Sequence, residues 1–555
     1  MLKIRIRHTK RFQEITNVFL RNGFSHFLFR LGLTDRSSSN DDGGNEMNMH
    51  DAGVKLRHAL QELGPTFIKL GQIASSRRDL VPLEIASELE KLQDHVTAVP
   101  FDQIREIVEL ELEEPLEHLF KTFDEKPLAA ASIGQVHIAH LPSGEKVAVK
   151  VQRPDIRPTM ETDLAILSDL ARFLEDNTDW AETYHLREMV IEFSKSLQDE
   201  LDYRVEGRNS ERIAKQFEEN PSVFIPKVYW DFSTDKVLTM EMVHGVKAND
   251  LETMDAGGYD RKLIARRIVD SMFHQILDEG FFHGDPHPGN IYILPEHVVS
   301  YLDFGMIGRL DKELKYHFAS LILNLREGDT EGMIEVFSDM GILSEDTDMR
   351  AFTRDVDDLQ TRYYDVSLND VSLGAIFIEL FQVAYRHHII IPSEISILGK
   401  AILTLEGLIA KLDPELSIME AVEPFGEKLM RERYHPKNLL ENSWKDFVEN
   451  IEILTNLPKD LKAITTTIRK GKLQLDINIQ QLQAFLHRLD RISNRLSFSI
   501  ILLSFSILMV GLIIGSAIAG QTNVLWQFPI IEAGSIIATL MFLFMIYSIF
   551  RSGRL

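Results

Sequence analysis

Three short motifs, far apart in the chain but in a definite order, constrain its fold more than any other feature. Residues 147–150 read VAVK and end a hydrophobic strand pattern, residues 283–290 read HGDPHPGN, and residues 303–305 read DFG after an apolar run. Each motif alone is weak, because lysines end many strands and a DFG arises by chance. Together, in this order, they indicate that distant segments meet at one site.

The residue types in these motifs suit phosphoryl transfer from ATP. That reaction needs a cation on the α- and β-phosphates, oxygen ligands for Mg²⁺ and a carboxylate on the acceptor side. Lys150 is predicted to supply the cation, and Asn290 and Asp303 the hard oxygen ligands that Mg²⁺ prefers. Asp285 lies five residues before Asn290 on the same Pro- and Gly-rich loop, so both can face one cleft, and Asp285 is the predicted catalytic carboxylate.

The second and third motifs depart from those of protein kinases in two ways. The loop keeps the Asp-to-Asn spacing of H-R-D-x-x-x-x-N, but Gly284 replaces the Arg that pairs with a phosphorylated activation loop. After Asp303 the chain runs almost at once into helical sequence, without an A-P-E motif. A peptide platform therefore has little room, which disfavours a protein substrate.

An alanine-rich segment stands where a kinase has its glycine-rich loop. Residues 129–136 read AAASIGQV, so Gly134 matches G-x-G-x-x-G-x-V while alanines replace the first two glycines. Their methyl groups stiffen the loop and keep its backbone farther from phosphates. The predicted ATP-binding residues are Ala129, Ala130, Ala131, Ser132, Ile133, Gly134, Gln135, Val136 and Lys150.

A zinc site is a competing interpretation of the second motif. His283 and His287 are four residues apart, but Pro286 and Pro288 exclude the helix that would align them. The chain has no cysteine, which excludes a thiolate zinc site, a disulfide scaffold and a cysteine nucleophile. ATP and Mg²⁺ are therefore the predicted cofactors.

Two long apolar segments near the end of the chain predict a membrane hairpin. Residues 496–519 carry no charge and suffice to cross about 30 Å of hydrocarbon. Residues 530–550 carry only Glu532, and arginines flank the outer ends of the pair. The positive-inside rule then places both outer ends on the cytoplasmic side. A buried core hairpin is the alternative interpretation.

The formal net charge of −24 is distributed unevenly. Residues 34–458 carry −36, whereas residues 1–33 carry +6 and residues 459–496 carry +5. An acidic body disfavours nucleic acid as a partner, and basic ends suit an anionic membrane surface. An amphipathic pattern at 12–19 predicts a helix that lies on a membrane or docks on the body, with a transit peptide as a third possibility.

Local periodicity predicts an α+β fold. The helical patterns cover 51–120, 160–217, 260–279 and 310–450, and the strand patterns cover 133–140, 146–152, 223–231 and 236–243.

The motifs resemble those of the UbiB family of atypical, protein-kinase-like proteins, which includes the mitochondrial coenzyme-Q-biosynthesis kinases. Residues 55–310 carry the likeness: residues 69–72 (KLGQ) match the K-x-G-Q signature, residues 200–202 (ELD) match the E-x-D signature, and the Ala-rich loop is the third mark. The resemblance implies a bilobal kinase-like fold with a helical N-terminal K-x-G-Q extension, and bacterial members also carry a C-terminal membrane hairpin.

The resemblance also assigns supporting residues. Glu206 would be the acidic partner that orients Lys150. The helix that bears Lys69 and Gln72 would pack across the cleft against Glu200 and Asp202, where a protein kinase binds its peptide. The predicted domains are a basic helix and linker (1–50), the K-x-G-Q extension (51–120), an N-lobe (121–247), a C-lobe (248–450), a basic linker (451–495) and the membrane hairpin (496–550).

The expected function is that of a membrane-anchored ATPase or small-molecule kinase that supports isoprenoid quinone biosynthesis. Its expected partners are a membrane lipid or quinone precursor and quinone-biosynthesis enzymes, and its expected location is the cytoplasmic side of a bacterial inner membrane. The alternative is a nucleotide-binding pseudokinase that organises lipid-biosynthesis proteins without phosphoryl transfer. The intact Lys150, Asp285, Asn290 and Asp303 favour the enzyme.

Overall fold

The computed structural model of the chain describes residues 9–25, 48–92, 97–178, 181, 184–343, 347–364 and 372–433, and residues 500, 503, 506, 507, 510, 511 and 514. The chain separates into two compact units, Met1–Ser443 and Trp444–Leu555. The helices and strands named below lie in the first unit.

As in an α+β fold, the first unit combines helices with sheets whose described strand pairs are antiparallel, except that Val223–Phe224 pairs in parallel with Val298–Tyr301. The α-helices are α1 (Thr9–Arg21), α2 (Met49–Leu63), α3 (Pro65–Ser76), α4 (Leu83–Leu89), α5 (Phe101–Leu112), α6 (Leu116–Leu119), α7 (Ile156–Asn177), α8 (Leu186–Glu200), α9 (Tyr203–Gln216), α10 (Leu251–Ala256), α11 (Arg261–Phe273), α12 (Lys312–Glu327), α13 (Thr330–Asp339), α14 (Met349–Tyr364), α15 (Leu373–Arg386), α16 (Ser393–Leu412) and α17 (Ile418–Arg433). The strands are β1 (Thr122–Phe123), β2 (Ala129–Ala130), β3 (Gly134–His140), β4 (Lys146–Gln152), β5 (Val223–Phe224), β6 (Val237–Glu241), β7 (Val246–Lys247), β8 (Phe281–His283), β9 (Ile291–Leu294), β10 (Val298–Tyr301) and β11 (Ile307–Arg309).

The first sheet carries Lys150 on its central strand. Its order is β1-β3-β4-β6, with β2 also paired to β3, and β3 and β4 form the predicted hairpin. Val147, Val149 and Val151 are buried on one face of β4, so Lys150 projects from the opposite face. Helix α5 covers the valine face and shares its apolar core, which joins residues 101–112 to this sheet rather than to the helices that precede them.

The strand predicted at 223–231 is largely wrong. Only Val223–Phe224 is a strand, and it pairs in parallel with β10 of a second sheet. Pro226 follows it and has no N–H to donate to a ladder, and residues Trp230–Phe232 form a 3₁₀ turn. Val228 alone forms a bridge to the first sheet, opposite Met240.

A second sheet and a two-stranded ribbon bring the HGDPHPGN and DFG segments together. The sheet has the order β5-β10-β9-β7, and the ribbon pairs β8 with β11 so that His283 lies opposite Ile307. The helix predicted at 260–279 is an α-helix only to Phe273 and continues as a π-helix over His274–Glu279. Gly280 then turns the chain with φ of 65° into β8.

Helix α1 docks on the body of the protein. Ile15 and Val18 are buried in a core shared with α2, α3 and Ile166 of α7. At the edge of this contact the Arg11 guanidinium pairs with Asp163, with Nε 2.8 Å from Oδ1. Of the interpretations of this segment, the structure therefore supports docking and not a membrane-surface helix.

Within the described residues no helix is both long and apolar enough to cross a membrane. The predicted hairpin lies almost wholly outside those residues, so it stays a prediction. The few described positions of its first segment are helical, and their large apolar side chains are each more than half exposed, namely Ile500, Leu503, Ile507, Val510 and Ile514.

Candidate functional site

The centre of the candidate site is an ion pair within the N-lobe, between β4 and α9. Lys150 on β4 donates to both carboxylate oxygens of Glu206 on α9, with Nζ at 2.9 and 2.8 Å. The same ammonium lies 5.2 Å from the ring centre of Tyr203 and 3.8 Å from Oδ1 of Asp303. Burial opposes its charge, but the carboxylates of Asp303 and Glu206 hold the pKa of Lys150 well above its ordinary value. Lys150 is therefore a permanent, oriented cation.

Asp303 is presented to the cleft by an unusual backbone conformation. Its φ is +62°, in the left-handed region, and its side chain is 54% exposed. The amide of Asn209 on α9 donates to the carbonyl of Phe304 over 3.1 Å, which ties this turn to the helix that carries Glu206. The ammonium of Lys150 lowers the pKa of Asp303, and the charge of Lys69 adds to the effect. The carboxylate is thus ionised and open to a ligand.

His283 connects the two loops from within the core. Its ring is fully buried, and Nδ1 accepts from the backbone N–H of Asp285 over 3.1 Å. Nε2 therefore carries the proton and donates to the carbonyl of Leu302 over 2.9 Å. Burial lowers the pKa of His283, which keeps the ring neutral. Because both nitrogens are used in these bonds, His283 is not free to ligate zinc.

Asp285 and Asn290 lie on the loop that follows β8. The amide Nδ2 of Asn290 donates to the carbonyl of Asp285 over 3.2 Å, which leaves Oδ1 as the atom suited to a metal. The carboxylate of Asp285 lies 3.3 Å from Nζ of Lys400, which belongs to α16. Gly284 permits this arrangement: a Cβ there would lie 2.8 Å from Cγ2 of Ile397 on the same helix. The close approach of α16 explains why no arginine occupies this position.

The Ala-rich loop is shaped by local hydrogen bonds and by one glycine. The N–H of Ala131 donates to the carbonyl of Gly134 over 2.8 Å, and Arg153 donates to the carbonyl of Ala131. A Cβ at Gly134 would come within 2.2 Å of the Tyr203 hydroxyl, so only glycine fits. The Ala-rich loop therefore packs against Tyr203, whose ring also contacts the Lys150 ammonium.

The side chains predicted to bind ATP do not all face the cleft. Ile133 is buried among Met160 and other apolar residues of α7 and α8. Gln135 is buried on the other side, where its Oε1 accepts from the N–H of Val99 over 2.9 Å and its amide contacts His137. At Ile133 and Gln135 only the backbone is therefore able to contact a nucleotide. The sequence pattern did not show which side chains of the loop face the cleft and which face the core.

The K-x-G-Q helix reaches the E-x-D segment through Lys69, which forms an ion pair with Glu200. Gln72 donates to the carbonyl of Leu92 over 3.2 Å. Gly71 allows the close packing of α2, α3 and the segment after α4, because a Cβ there would lie 2.3 Å from Cδ1 of Leu92.

Asp202 has a different place from that implied by the resemblance. It is the N-cap of α9, where its Oδ1 accepts from the N–H of Arg204 over 3.0 Å. Its carboxylate also pairs with the Arg204 guanidinium, with Nε 2.8 Å from Oδ1. Helix α8 ends at Glu200, so the two acidic residues diverge, and among the described contacts Glu200 is the one that meets Lys69.

An ion pair that no motif in the sequence indicates fastens the K-x-G-Q extension to the C-lobe. The fully buried Asp79 accepts from Nε and Nη2 of Arg77 at 3.0 and 2.9 Å, and from the N–H of Ile391 at 3.1 Å. Arg77 also donates to the carbonyl of Ile391. Lys400 is likewise not indicated, since neither it nor Asp79 lies in a motif with recognisable spacing.

The described residues fit a magnesium–nucleotide complex. Asp303 and Asn290 offer oxygen atoms, as Mg²⁺ requires, and Lys150 offers a cation for the phosphates. The buried hydroxyls of Ser132 and Tyr203 find no hydrogen-bond partner among the described residues. Ser132 lies in the Ala-rich loop, so its hydroxyl is a polar group that a phosphate or its water could satisfy.

Comparisons with known proteins find three family models along the chain. The ABC1 atypical kinase-like domain matches residues 91–337, the UbiB helical domain matches residues 356–417, and the ABC1/UbiB kinase-like C-terminal domain matches residues 480–551. The α+β kinase-like fold expected from the motifs is thereby confirmed.

Individual relatives cover most of the chain. A Pseudomonas paraeruginosa protein named "Probable protein kinase UbiB" is 37% identical over 414 residues, which cover 74% of this chain and 77% of that protein. An uncharacterized Clostridium pasteurianum protein from a hydrogenase 1 5′ region is 34% identical over 508 residues, 90% of this chain and 93% of its own. The solved complex of Mycobacterium tuberculosis Rv3197 with erythromycin aligns with a TM-score of 0.48 at 23% identity, covering 68% of this chain and 96% of that one.

Proposed function

The chain belongs to the ABC1/UbiB family of atypical kinase-like proteins, and we propose that it is an ATP-dependent phosphotransferase or ATPase. The observation that carries this proposal is the arrangement of Lys150, which is held by Glu206 while it faces Asp303. Phosphoryl transfer depends on such a cation for the phosphates, placed next to a carboxylate for the metal.

In this proposal each residue of the candidate site has its own role in binding ATP or in the transfer of its γ-phosphate. Lys150 would bind the α- and β-phosphates, and Glu206 fixes the direction of its ammonium. Asp303 and Asn290 would hold Mg²⁺, which when bound neutralises charge on the phosphate oxygens. Asp285 would orient the attacking hydroxyl or water and accept its proton. His283 keeps Asp285 and the turn before Asp303 in one relative position through its two hydrogen bonds.

A small-molecule acceptor or water suits this site better than a protein. Strand β11 begins at Ile307 and α12 begins at Lys312, so little chain separates Asp303 from the next helix. The K-x-G-Q helix is also fastened near the cleft by Lys69 and Glu200. Both observations leave little room for an extended peptide. They support a small-molecule acceptor or water as the substrate, rather than the protein substrate that the relatives' name "Probable protein kinase UbiB" suggests.

We further propose that the protein acts at the cytoplasmic face of a bacterial inner membrane, on or for isoprenoid quinone precursors. The support is the pair of apolar segments at 496–519 and 530–550, together with the exposed apolar side chains of the first of them. A lipid or quinone precursor, with quinone-biosynthesis enzymes, would be its partner.

The test of the proposed activity is phosphate release from ATP by the purified full chain in detergent, with and without Mg²⁺ and a phenolic lipid mimic. Release that depends on Mg²⁺ and is lost in Lys150→Met supports the enzyme. Nucleotide binding without any release would instead identify a pseudokinase scaffold.

Replacing Ala131 of the Ala-rich loop with glycine should change both nucleotide affinity and self-phosphorylation. The methyl group restrains the loop, and its removal adds about 0.5–1 kcal/mol of backbone entropy while letting the backbone approach the phosphates. We expect Ala131→Gly to change the ATP-to-ADP affinity ratio and to raise self-phosphorylation with labelled ATP and Mg²⁺. The double variant Ala131→Gly/Asp303→Asn is the control. Equal labelling of wild type and Ala131→Gly, at equal affinity, would show that the alanine is merely tolerated.

Deletion of residues 496–555 should release the body from membranes without loss of nucleotide binding. Every predicted site residue precedes residue 306, and both predicted spans follow residue 495. The measurements are fractionation of cell lysates in high salt and a thermal-shift titration with MgATP, each against the full chain. A truncated protein that still sediments wholly with membranes would show that another segment anchors it.

A further inference from the structure

A lysine from outside the kinase-like domain reaches the acceptor side of the candidate site. Lys400 lies on α16, within the residues that match the UbiB helical domain and beyond those that match the ABC1 domain. Its Nζ is 3.3 Å from Oδ2 of Asp285 and 3.7 Å from the sulfur of Met306. The Lys400 side chain is 23% exposed and that of Asp285 35%, so the pair borders solvent and is open to a substrate.

Helix α16 is held in place at two points that precede Lys400. Its first residue follows Ile391 closely, and the N–H and carbonyl of Ile391 are bound by Asp79 and Arg77 of the K-x-G-Q extension. One turn before Lys400, Ile397 packs so closely on Gly284 that a Cβ there would clash with it. The position of Lys400 relative to Asp285 is therefore set by packing rather than by a flexible surface encounter.

We infer that Lys400 is a positioning residue for phosphoryl transfer, which acts through Asp285 and makes the helical domain part of the active site. The inference rests on the proposed function. The ammonium holds the Asp285 carboxylate in one orientation and offsets the negative field of Asp303 and a bound triphosphate.

The step that depends on this orientation is the attack on the γ-phosphorus. The oxygen of water or of an acceptor hydroxyl bonds to the γ-phosphorus while the bond from that phosphorus to the bridging oxygen breaks. ADP leaves with the bridging electrons, and the proton of the attacking oxygen goes to Asp285. A carboxylate free to rotate would lose the alignment with that O–H.

The variant that tests the inference is Lys400→Met, which keeps an unbranched side chain beside Met306 but removes the charge. Lys400→Arg keeps the charge, and Lys411→Met is the matched control, since Lys411 is exposed near the end of the same helix. The full chain in detergent is assayed for Mg²⁺-dependent phosphate release, for MgATP affinity by thermal shift and for thermal stability.

We expect Lys400→Met to lower kcat by about 10- to 100-fold, with the KM for ATP changed by less than about 2-fold, because the cation serves the transition state and not nucleotide binding. Lys400→Arg should recover most of kcat, and Lys411→Met should match wild type. Unchanged kcat in Lys400→Met, or a loss that follows MgATP affinity and stability together, overturns the inference while the proposed function stands. A wild type that releases no phosphate overturns both.

Discussion

Asp303→Asn is expected to abolish magnesium-dependent nucleotide binding while leaving the fold intact. The substitution removes the charge of a metal ligand, and since even the outer partners of metal sites contribute 10- to 100-fold to affinity, we expect MgATP to bind more than about 100-fold more weakly. Asparagine tolerates the left-handed conformation that residue 303 adopts, with φ of +62°. Oδ1 of Asp303 lies 3.8 Å from Nζ of Lys150, and the Asp303 side chain is half-exposed. Loss of this contact should therefore lower the free energy of unfolding by less than about 1 kcal/mol.

The measurement is a thermal-shift titration with MgATP, compared with ATP in EDTA. Asp339→Asn, on the exposed end of α13, is the control for loss of one charge far from the site. If Asp303→Asn shows a wild-type shift with MgATP, Asp303 is not a metal ligand and the assignment of Asn290 as its companion fails with it.

Asp79→Ala is expected to destabilise the protein by about 3 kcal/mol, because removing one partner of a buried ion pair leaves the other unpaired. Asp79 is fully buried and bound by Arg77 and by the N–H of Ile391. Its removal would leave the guanidinium and that N–H without their carboxylate. Since Ile391 precedes the helix that bears Lys400, the amide of Ile391 should also exchange with solvent faster.

Urea unfolding followed by circular dichroism gives the stability, and hydrogen exchange gives the local opening. Asp79→Asn, which can still accept from the N–H of Ile391, should lie between wild type and alanine. Glu84→Ala, an exposed acidic residue on α4, is the control. A loss below about 1 kcal/mol in Asp79→Ala would mean that the contact does not fasten the extension to the C-lobe.

Local pattern was enough to predict the strand that carries Lys150 and the helical region that carries Glu206, but not the strands on either side of Asp285 and Asp303. Alternation along residues 146–152 predicts the strand, and because side chains alternate across a strand, burial of its valines places Lys150 on the other face. The spacing from Asp285 to Asn290 within one stiff loop likewise predicted that the two would be neighbours, as their hydrogen bond shows. The strand prediction failed where a proline interrupts an apolar run, as Pro226 does within residues 223–231.

Residue identity and short spacing were enough to identify the family, the order of the motifs and Lys150, whereas its partner Glu206 came from the family resemblance. The packing of distant segments established that α1 docks, that Gln135 faces the core and that Lys400 meets Asp285. These contacts join residues far apart in the chain, whereas the Asp202 cap of α9 is local. Their energies depend on which helix faces pack together, and the periodicity of a single segment cannot specify its partner.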